Sequence, residues 1–205
     1  FEAKGGRCVG NATQVATQAD VVVTMLPEGE HVSAVYIDEV LTLSTPPPLC
    51  IDCSTIDVET ARKVANSAAD KGVEIIDAPV SGGPEGAQTG TLSFMVGGST
   101  AGFERSRPIL ETLGKRILHF GPAGSGQAAK ACHNMICGIT SLAVCESFAL
   151  AAKLGLNEKS FFELCAGAAA QSWILENRCP VPGVAENTPA SNGYRPEFSA
   201  GLMAK

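Results

Sequence analysis

The chain has 205 residues, a hydrophobic fraction of 45%, a charged fraction of 18% and a net charge of −6. That length buries a real core, and that composition belongs to a folded globular protein rather than a disordered segment. Its Lys and Arg residues are scattered, so the concentrated basic surface that nucleic acid requires is lacking, and no unbroken run of about 18 apolar residues suggests a membrane span.

The opening FEAKGGRCVG reads as the frayed end of a helix or turn, with neither the apolar centre of a signal peptide nor the Arg/Ser-rich pattern of a transit peptide. Residues 11–19 read as a helix that feeds a β-branched strand at 20–26 (DVVVTML). The runs at 49–53 (LCIDC) and 73–77 (VEIID) repeat that signal, and continuous apolar runs suit strands buried on both faces of a parallel sheet. Between them, residues 57–71 predict a helix with Asp57 as its N-cap and Gly72 ending it, making a right-handed βαβ unit. Strands at 89–96 and 115–120 flank a helix over 101–113, which Pro108 should kink or shorten.

After GPAGSG (121–126) the pattern turns helical. Residues 127–153 hold no proline and one glycine, Gly138, and are apolar on nearly every side. A helix of about 40 Å with that pattern should run through the middle of a larger helical body. A further helix is expected over 157–167, capped by Asn157, and the Pro- and Asn-rich stretch 179–200 reads as a long ordered loop.

The expected architecture is therefore α/β: an incomplete Rossmann-like doubly wound sheet, followed by an all-α C-terminal domain that is also incomplete. The first domain is expected over 1–126, lacking its first βαβ unit, and the second over 127–205, opening with the long interdomain helix. The strand–GxGxxG–helix opening is missing, Gly5-Gly6 does not fit that fingerprint, and LMAK stops on an apolar stretch, so both ends read as cuts through a fold.

Eight cysteines do not make a disulfide scaffold in a chain this large and apolar, and a reducing compartment fits better. Cys132, Cys137, Cys145 and Cys165 fall in apolar helical stretches, and the CxxC of Cys50 and Cys53 has no second ligand pair at zinc spacing. His31, His119 and His133 have no metal-ligand spacing either, so no metal is expected; Trp173 reads as core.

Three stretches can carry chemistry. In DAPVSGGPEGAQTG (77–90), consecutive glycines after a strand form either a nest of backbone N–H groups for a carboxylate or phosphate, with Ser81 beside it, or a tight turn into a hairpin. In GPAGSGQAAKACHN (121–134), glycines lead into an anion-friendly helix start without the Gly-Lys-Ser/Thr of a P-loop. Lys130 and Asn134 then share one face of an apolar helix, where a lysine is either a desolvated base or a side chain that reaches out to solvent. Finally, MLPEGE and CSTID end two strands, where ligands bind in open α/β sheets; Leu26, Pro27 and Thr55 are candidate cofactor contacts or ordinary loop residues.

In order along the chain, TMLP (24–27), STID (54–57), DAPVSGG (77–83) and GxxGxGxxxKxxxN (121–134) closely resemble the 3-hydroxyisobutyrate dehydrogenases of the β-hydroxyacid dehydrogenase family. The likeness extends through PVPGV (180–184), PASNGY (189–194) and LMAK (202–205). It implies a mitochondrial enzyme of valine catabolism that moves hydride between 3-hydroxyisobutyrate and NAD, giving methylmalonate semialdehyde, and that works as a homo-oligomer. The same likeness assigns Lys130 as the catalytic acid–base, Ser81, Gly82 and Gly83 as holders of the substrate carboxylate, and Asn134 as the residue orienting substrate. Leu26, Pro27, Thr55 and Lys205 would touch the cofactor, and no metal is needed. One departure is His31, which stands where relatives often carry a cofactor-contacting asparagine. Rival readings are a semialdehyde or glyoxylate reductase of the same family, and a non-catalytic interaction domain. Retention of Lys130, Asn134 and the SGG segment argues against the latter.

Overall fold

The apolar runs VVVT, LCID and EIID lie side by side as parallel strands β1 (Val21–Thr24), β2 (Leu49–Asp52) and β3 (Glu74–Asp77) in the computed structural model, which describes residues 1–186 and 188–194. Their register sets Val22, Cys50 and Ile75 in one row, and Thr24, Asp52 and Asp77 in another at the carboxyl ends. The chain continues from β3 into β4 (Val80–Ser81), and both pair antiparallel with β5 (Leu92–Gly97): Asp77 faces Gly97, and Ser81 faces Ser93. A last strand, β6 (Gly114–Gly121), runs parallel to β5.

Alternation along the strands divides the core in two. Val22, Cys50 and Ile75 pack on one face with Val32, Tyr36, Val40, Val64 and Ala68, whereas Ile51, Cys53 and Ile76 pack on the other with Phe103 and Leu110. The first layer comes from α3 (Val58–Ala69), which starts where Asp57 accepts the Thr60 N–H, and from a helical stretch that the sequence pattern did not predict. That stretch is α2 (Gly29–Ser33), a wider turn over Ala34–Glu39 and a 3-10 turn over Val40–Thr42. Val32, Tyr36 and Val40 are buried at every fourth position, and Leu41 is buried beside the last of them. A short helix α1 (Ala12–Ala16), capped by Asn11, occupies the start of the predicted 11–19 helix. With α4 (Gly83–Thr89) set between β4 and β5, the opposite layer is α5 (Thr100–Leu113), capped by Ser99; it runs through Pro108 and is not shortened by it. Helices on both faces of a mixed sheet make this the doubly wound α/β arrangement.

The chain divides into two compact units, the first ending at Ala131 and the second beginning at Cys132. The helix α6 (Ser125–Lys153) continues from one into the other. In the second unit, α7 (Glu158–Ala166), capped by Asn157, and an unpredicted short helix α8 (Trp173–Arg178) enclose Phe148, Leu175, Cys179 and Ala185. Phe161 meets Phe148 edge-on at 5.1 Å.

The expectation that α6 threads a helical body holds on one side only among the described residues. Val144, Phe148 and Ala151 pack inward, but Met135 (61%), Ile136 (64%), Ile139 (64%) and Leu142 (61%) are exposed. Among the described residues, two short helices and a turn-rich segment cover one stripe of so long a rod. By length and composition α6 could cross a membrane, which a search for unbroken apolar runs does not detect; the core helix of a globular protein has the same property. Lys205, expected at the cofactor, lies outside the described residues.

Candidate active site

The row Thr24–Asp52–Asp77 at the carboxyl ends of β1, β2 and β3 is polar and buried, at 8%, 3% and 6% exposure. Asp52 Oδ1 accepts from Thr24 Oγ1 (2.8 Å), Ser54 Oγ (2.6 Å) and the Ser54 N–H (3.2 Å). Thr24 commits its single hydroxyl proton to Asp52, so the phenol of Tyr36, 2.9 Å away, must be the donor in their contact. Ser54 Oγ in turn accepts the Leu26 N–H at 2.8 Å, tying the loop after β1 to the loop after β2. Burial pushes the Asp52 carboxyl above its ordinary value, against the hydrogen bonds from Ser54 and Thr24 and with a smaller push from Asp77. Burial, followed by the charges of Cys50 and Asp52, also holds the Tyr36 phenol well above its usual range. A cavity with room for about one water lies against Asp52, Asp77, Val32 and Val64.

Asp77 ties β3 to α6. Its carboxylate accepts the N–H of Gly124 at 2.8 Å and of Gln127 at 2.9 Å. The sequence shows glycines leading into a helix start suited to an anion, and in the structure that anion is the chain's own carboxylate. Those glycines allow backbone to approach backbone: a Cβ on Gly126 would run into the carbonyls of Met95 and Asp77, and one on Gly97 into the Asp77 carboxylate. Gln127 is 1% exposed, and its amide donates to Ser54 O (2.8 Å) and accepts from the Ile56 N–H (3.1 Å). Both bonds flank Thr55.

The SGG segment bends sharply after β4. Gly82 (φ 132°) and Gly83 (φ 61°) adopt backbone that side chains rarely allow, and the chain then enters α4, with Pro84 in its first turn. Between turn and nest, the structure thus rules out a plain two-strand hairpin, because a helix joins β4 to β5. Ser81 is half-buried at the end of β4, and Gly82 and Gly83 are exposed. Lys130 is half-buried on α6, three residues past Gln127. Asn134, further along α6, belongs to the second unit, and its Oδ1 lies 3.3 Å from His133 Nδ1.

Thr55 is half-buried and Pro27 exposed at the strand ends. The Leu26 side chain packs on the core and its N–H is engaged by Ser54. His31 is exposed on α2. Cys50 and Cys53 belong to opposite faces of the sheet, and burial pushes both thiols up to about 12, so the CxxC is two separate core residues. His119 stacks on Phe103 at 4.8 Å. Trp173, expected in the core, is 56% exposed, with the Arg178 guanidinium over its ring.

Sequence reasoning missed Asp52, Asp77 and Gln127 as organisers of this region. A signal was present: each is a polar residue inside an apolar element, the same argument that singled out Lys130.

Two family models together match nearly the whole chain: the NAD binding domain of 6-phosphogluconate dehydrogenase over residues 1–121, and the NAD-binding domain of NADP-dependent 3-hydroxyisobutyrate dehydrogenase over 124–205. A 3-hydroxyisobutyrate dehydrogenase of Pseudomonas aeruginosa is 47% identical over 98% of this chain and 68% of its own length. The NAD-dependent L-serine dehydrogenase of the same organism is 42% identical over 99% of this chain and 69% of its own. A relative in Dictyostelium discoideum, 43% identical over 98% of this chain and 64% of its own, is named as mitochondrial. Among solved structures, Mycobacterium tuberculosis 3-hydroxyisobutyrate dehydrogenase with L-serine has a TM-score of 0.87 at 46% identity, covering 94% of this chain and 66% of that one. The chain spans about two thirds of the length of the curated relatives it matches, 66% for that of Mycobacterium bovis. With these matches, the chain belongs to the 3-hydroxyisobutyrate dehydrogenases of the β-hydroxyacid dehydrogenase family.

Proposed function

We propose that this protein transfers hydride between 3-hydroxyisobutyrate and NAD, giving methylmalonate semialdehyde, as a step of valine catabolism. A mitochondrial location is part of the proposal, supported by the mitochondrial relative in Dictyostelium discoideum. The observation that carries the reading is the linkage through Asp77 and Gln127, which joins the Thr55 loop, the strand leading to the SGG segment and the helix bearing Lys130.

In this reading Ser81 and the backbone of Gly82 and Gly83 hold the substrate carboxylate, as positive-φ glycines expose N–H groups to an anion. Lys130 removes the hydroxyl proton during oxidation and returns it in the reverse direction, and Asn134 orients the substrate. Thr55, Pro27 and Leu26 offer a hydroxyl and apolar surface suited to the ribose and nicotinamide of NAD, with Lys205 as a further contact. Bound NAD supplies the hydride acceptor. Since Asp77 already occupies the start of α6, the cofactor's phosphates must be held elsewhere. A homo-oligomeric state is part of the proposal, supported by the exposed stripe Met135, Ile136, Ile139 and Leu142.

A second substrate, L-serine, is favoured by the 42% identical L-serine dehydrogenase. Serine and 3-hydroxyisobutyrate both carry a carboxylate and a β-hydroxyl, so one nest and one lysine serve either. Turnover of both acids by full-length protein and by its Lys130→Met variant tests the proposal. The variant should lose about 10²–10⁴ in kcat, the scale of general acid–base catalysis. Turnover retained without the amine removes Lys130 from the chemistry, and the ratio of kcat/KM for the two acids ranks them.

A further inference from the structure

We propose that Gln127 is a positioning residue that clamps the cofactor-side loop around Thr55 to the first turn of the helix carrying Lys130; this rests on the functional reading above. Its amide forms one bond on each side of Thr55, donating to the Ser54 carbonyl at 2.8 Å and accepting from the Ile56 N–H at 3.1 Å. Its own backbone N–H is held by Asp77 at 2.9 Å. The side chain thus presents a donor and an acceptor to one short backbone segment, as an adjoining strand would, from a helix more than seventy residues further along the chain.

No ordinary substitute does the same. Asn is one methylene too short, Lys has no acceptor, and an ionised Glu has no donor. At 1% exposure, Gln127 holds both of these backbone groups away from bulk water. Lys130 follows three residues later, about 4.5 Å along the helix axis. A shift of the Thr55 loop relative to α6 is therefore a shift of the cofactor contact relative to the base.

Two variants of full-length protein test the clamp. Gln127→Ala removes both bonds, and its KM for NAD should rise about five- to tenfold, the scale of one or two hydrogen bonds. The hydroxyacid KM should move by less than about twofold. In Gln127→Glu, a protonated carboxyl offers O–H to Ser54 and C=O to Ile56, imitating the amide, whereas an ionised one turns an acceptor on the Ser54 carbonyl. Measured against wild type at each pH, its NAD KM should approach parity at the acid end and rise toward the alkaline end. The alanine variant should show no such trend. A purely structural amide would not produce pH-dependent rescue confined to one substrate. A flat ratio for the Glu variant, or equal shifts for NAD and hydroxyacid, overturns the proposal.

Amide hydrogen exchange at Ile56, without NAD, gives a readout independent of activity. Protection in wild type, its loss in Gln127→Ala and its return at low pH in Gln127→Glu are expected. An unprotected Ile56 in wild type removes the clamp, even if the enzyme is active. Absence of NAD-dependent turnover in wild type, with Ile56 protected, defeats the functional reading instead.

Discussion

The carboxylate of Asp77 meets the backbone N–H of Gln127 at 2.9 Å, across 50 residues of chain. Its other oxygen takes the Gly124 N–H, so Asp→Asn at this position would turn one acceptor into a donor facing an N–H. Asp77→Asn should destabilise the fold by about 1.5–3 kcal/mol, the range for a hydrogen bond to a charged group. Urea denaturation measures this, and an unchanged midpoint would mean that the helix start is held by other contacts.

The glycines of α6 should respond in opposite directions. A Cβ at Gly126 collides with backbone carbonyls that cannot give way, whereas one at Gly138 meets nothing within 4 Å. Gly126→Ala should cost about 1–3 kcal/mol through overpacking. Gly138→Ala should gain about 0.5–1 kcal/mol, because alanine loses less freedom on entering a helix. Thermal melts of the two variants should shift with opposite sign.

Asp52 sets a pH dependence. Its folded value is raised above 3.8 by burial, so the folded state holds that proton more tightly than the unfolded state. The stabilisation is fully present below the unfolded value and is lost as pH rises through the folded one. Asp52→Asn does not titrate, so its stability relative to wild type should climb over that window and then level off. Urea melts from acid to neutral pH report the difference; a variant that loses ground as pH rises contradicts the assignment.

Ser81→Ala should raise the KM for the hydroxyacid and leave that for NAD nearly unchanged. One hydrogen bond to a carboxylate is worth about 1.5–3 kcal/mol. Steady-state kinetics with each substrate varied in turn separates the two constants. A larger change in the NAD constant would assign the nest to cofactor phosphate.

Thiol chemistry should divide the cysteines by burial. Cys8, Cys132 and Cys145 are exposed, while Cys50, Cys53 and Cys179 are buried, the first two with thiols at about 12. At pH 8 an aromatic disulfide reagent should label the exposed three first and reach the buried three only after denaturant. Rapid labelling of Cys50 or Cys53 in the folded protein would show that β2 opens.

The sheet was legible because its strands are continuous apolar runs and because caps such as Asp57 and Asn157 are spelled out locally. The helical stretch 29–42 was not, since its few buried residues, Val32, Tyr36, Val40 and Leu41, are spread over short helical pieces joined by a widened turn. In the proposed site, Ser81, Lys130 and the glycines announced themselves by composition. Asp52, Asp77 and Gln127 stand out only as polar residues in apolar elements; their partners lie on other strands and helices, and a linear pattern carries no trace of a bond between residues 54 and 127.

Register governs where this protein tolerates changes in length. Thr24, Asp52 and Asp77 stand directly opposite one another, and β3 and β4 keep a single alignment along β5. One residue inserted within β2 would turn Asp52 toward the layer of α5 and carry Cys50 and Ile51 to the wrong sides. An insertion at residues 44–46, before β2 and at the far end of the sheet from the row, would lengthen a loop and leave every strand end at its height. Insertions and deletions should therefore be confined to that side, and the rim should not accept a change in the number of residues.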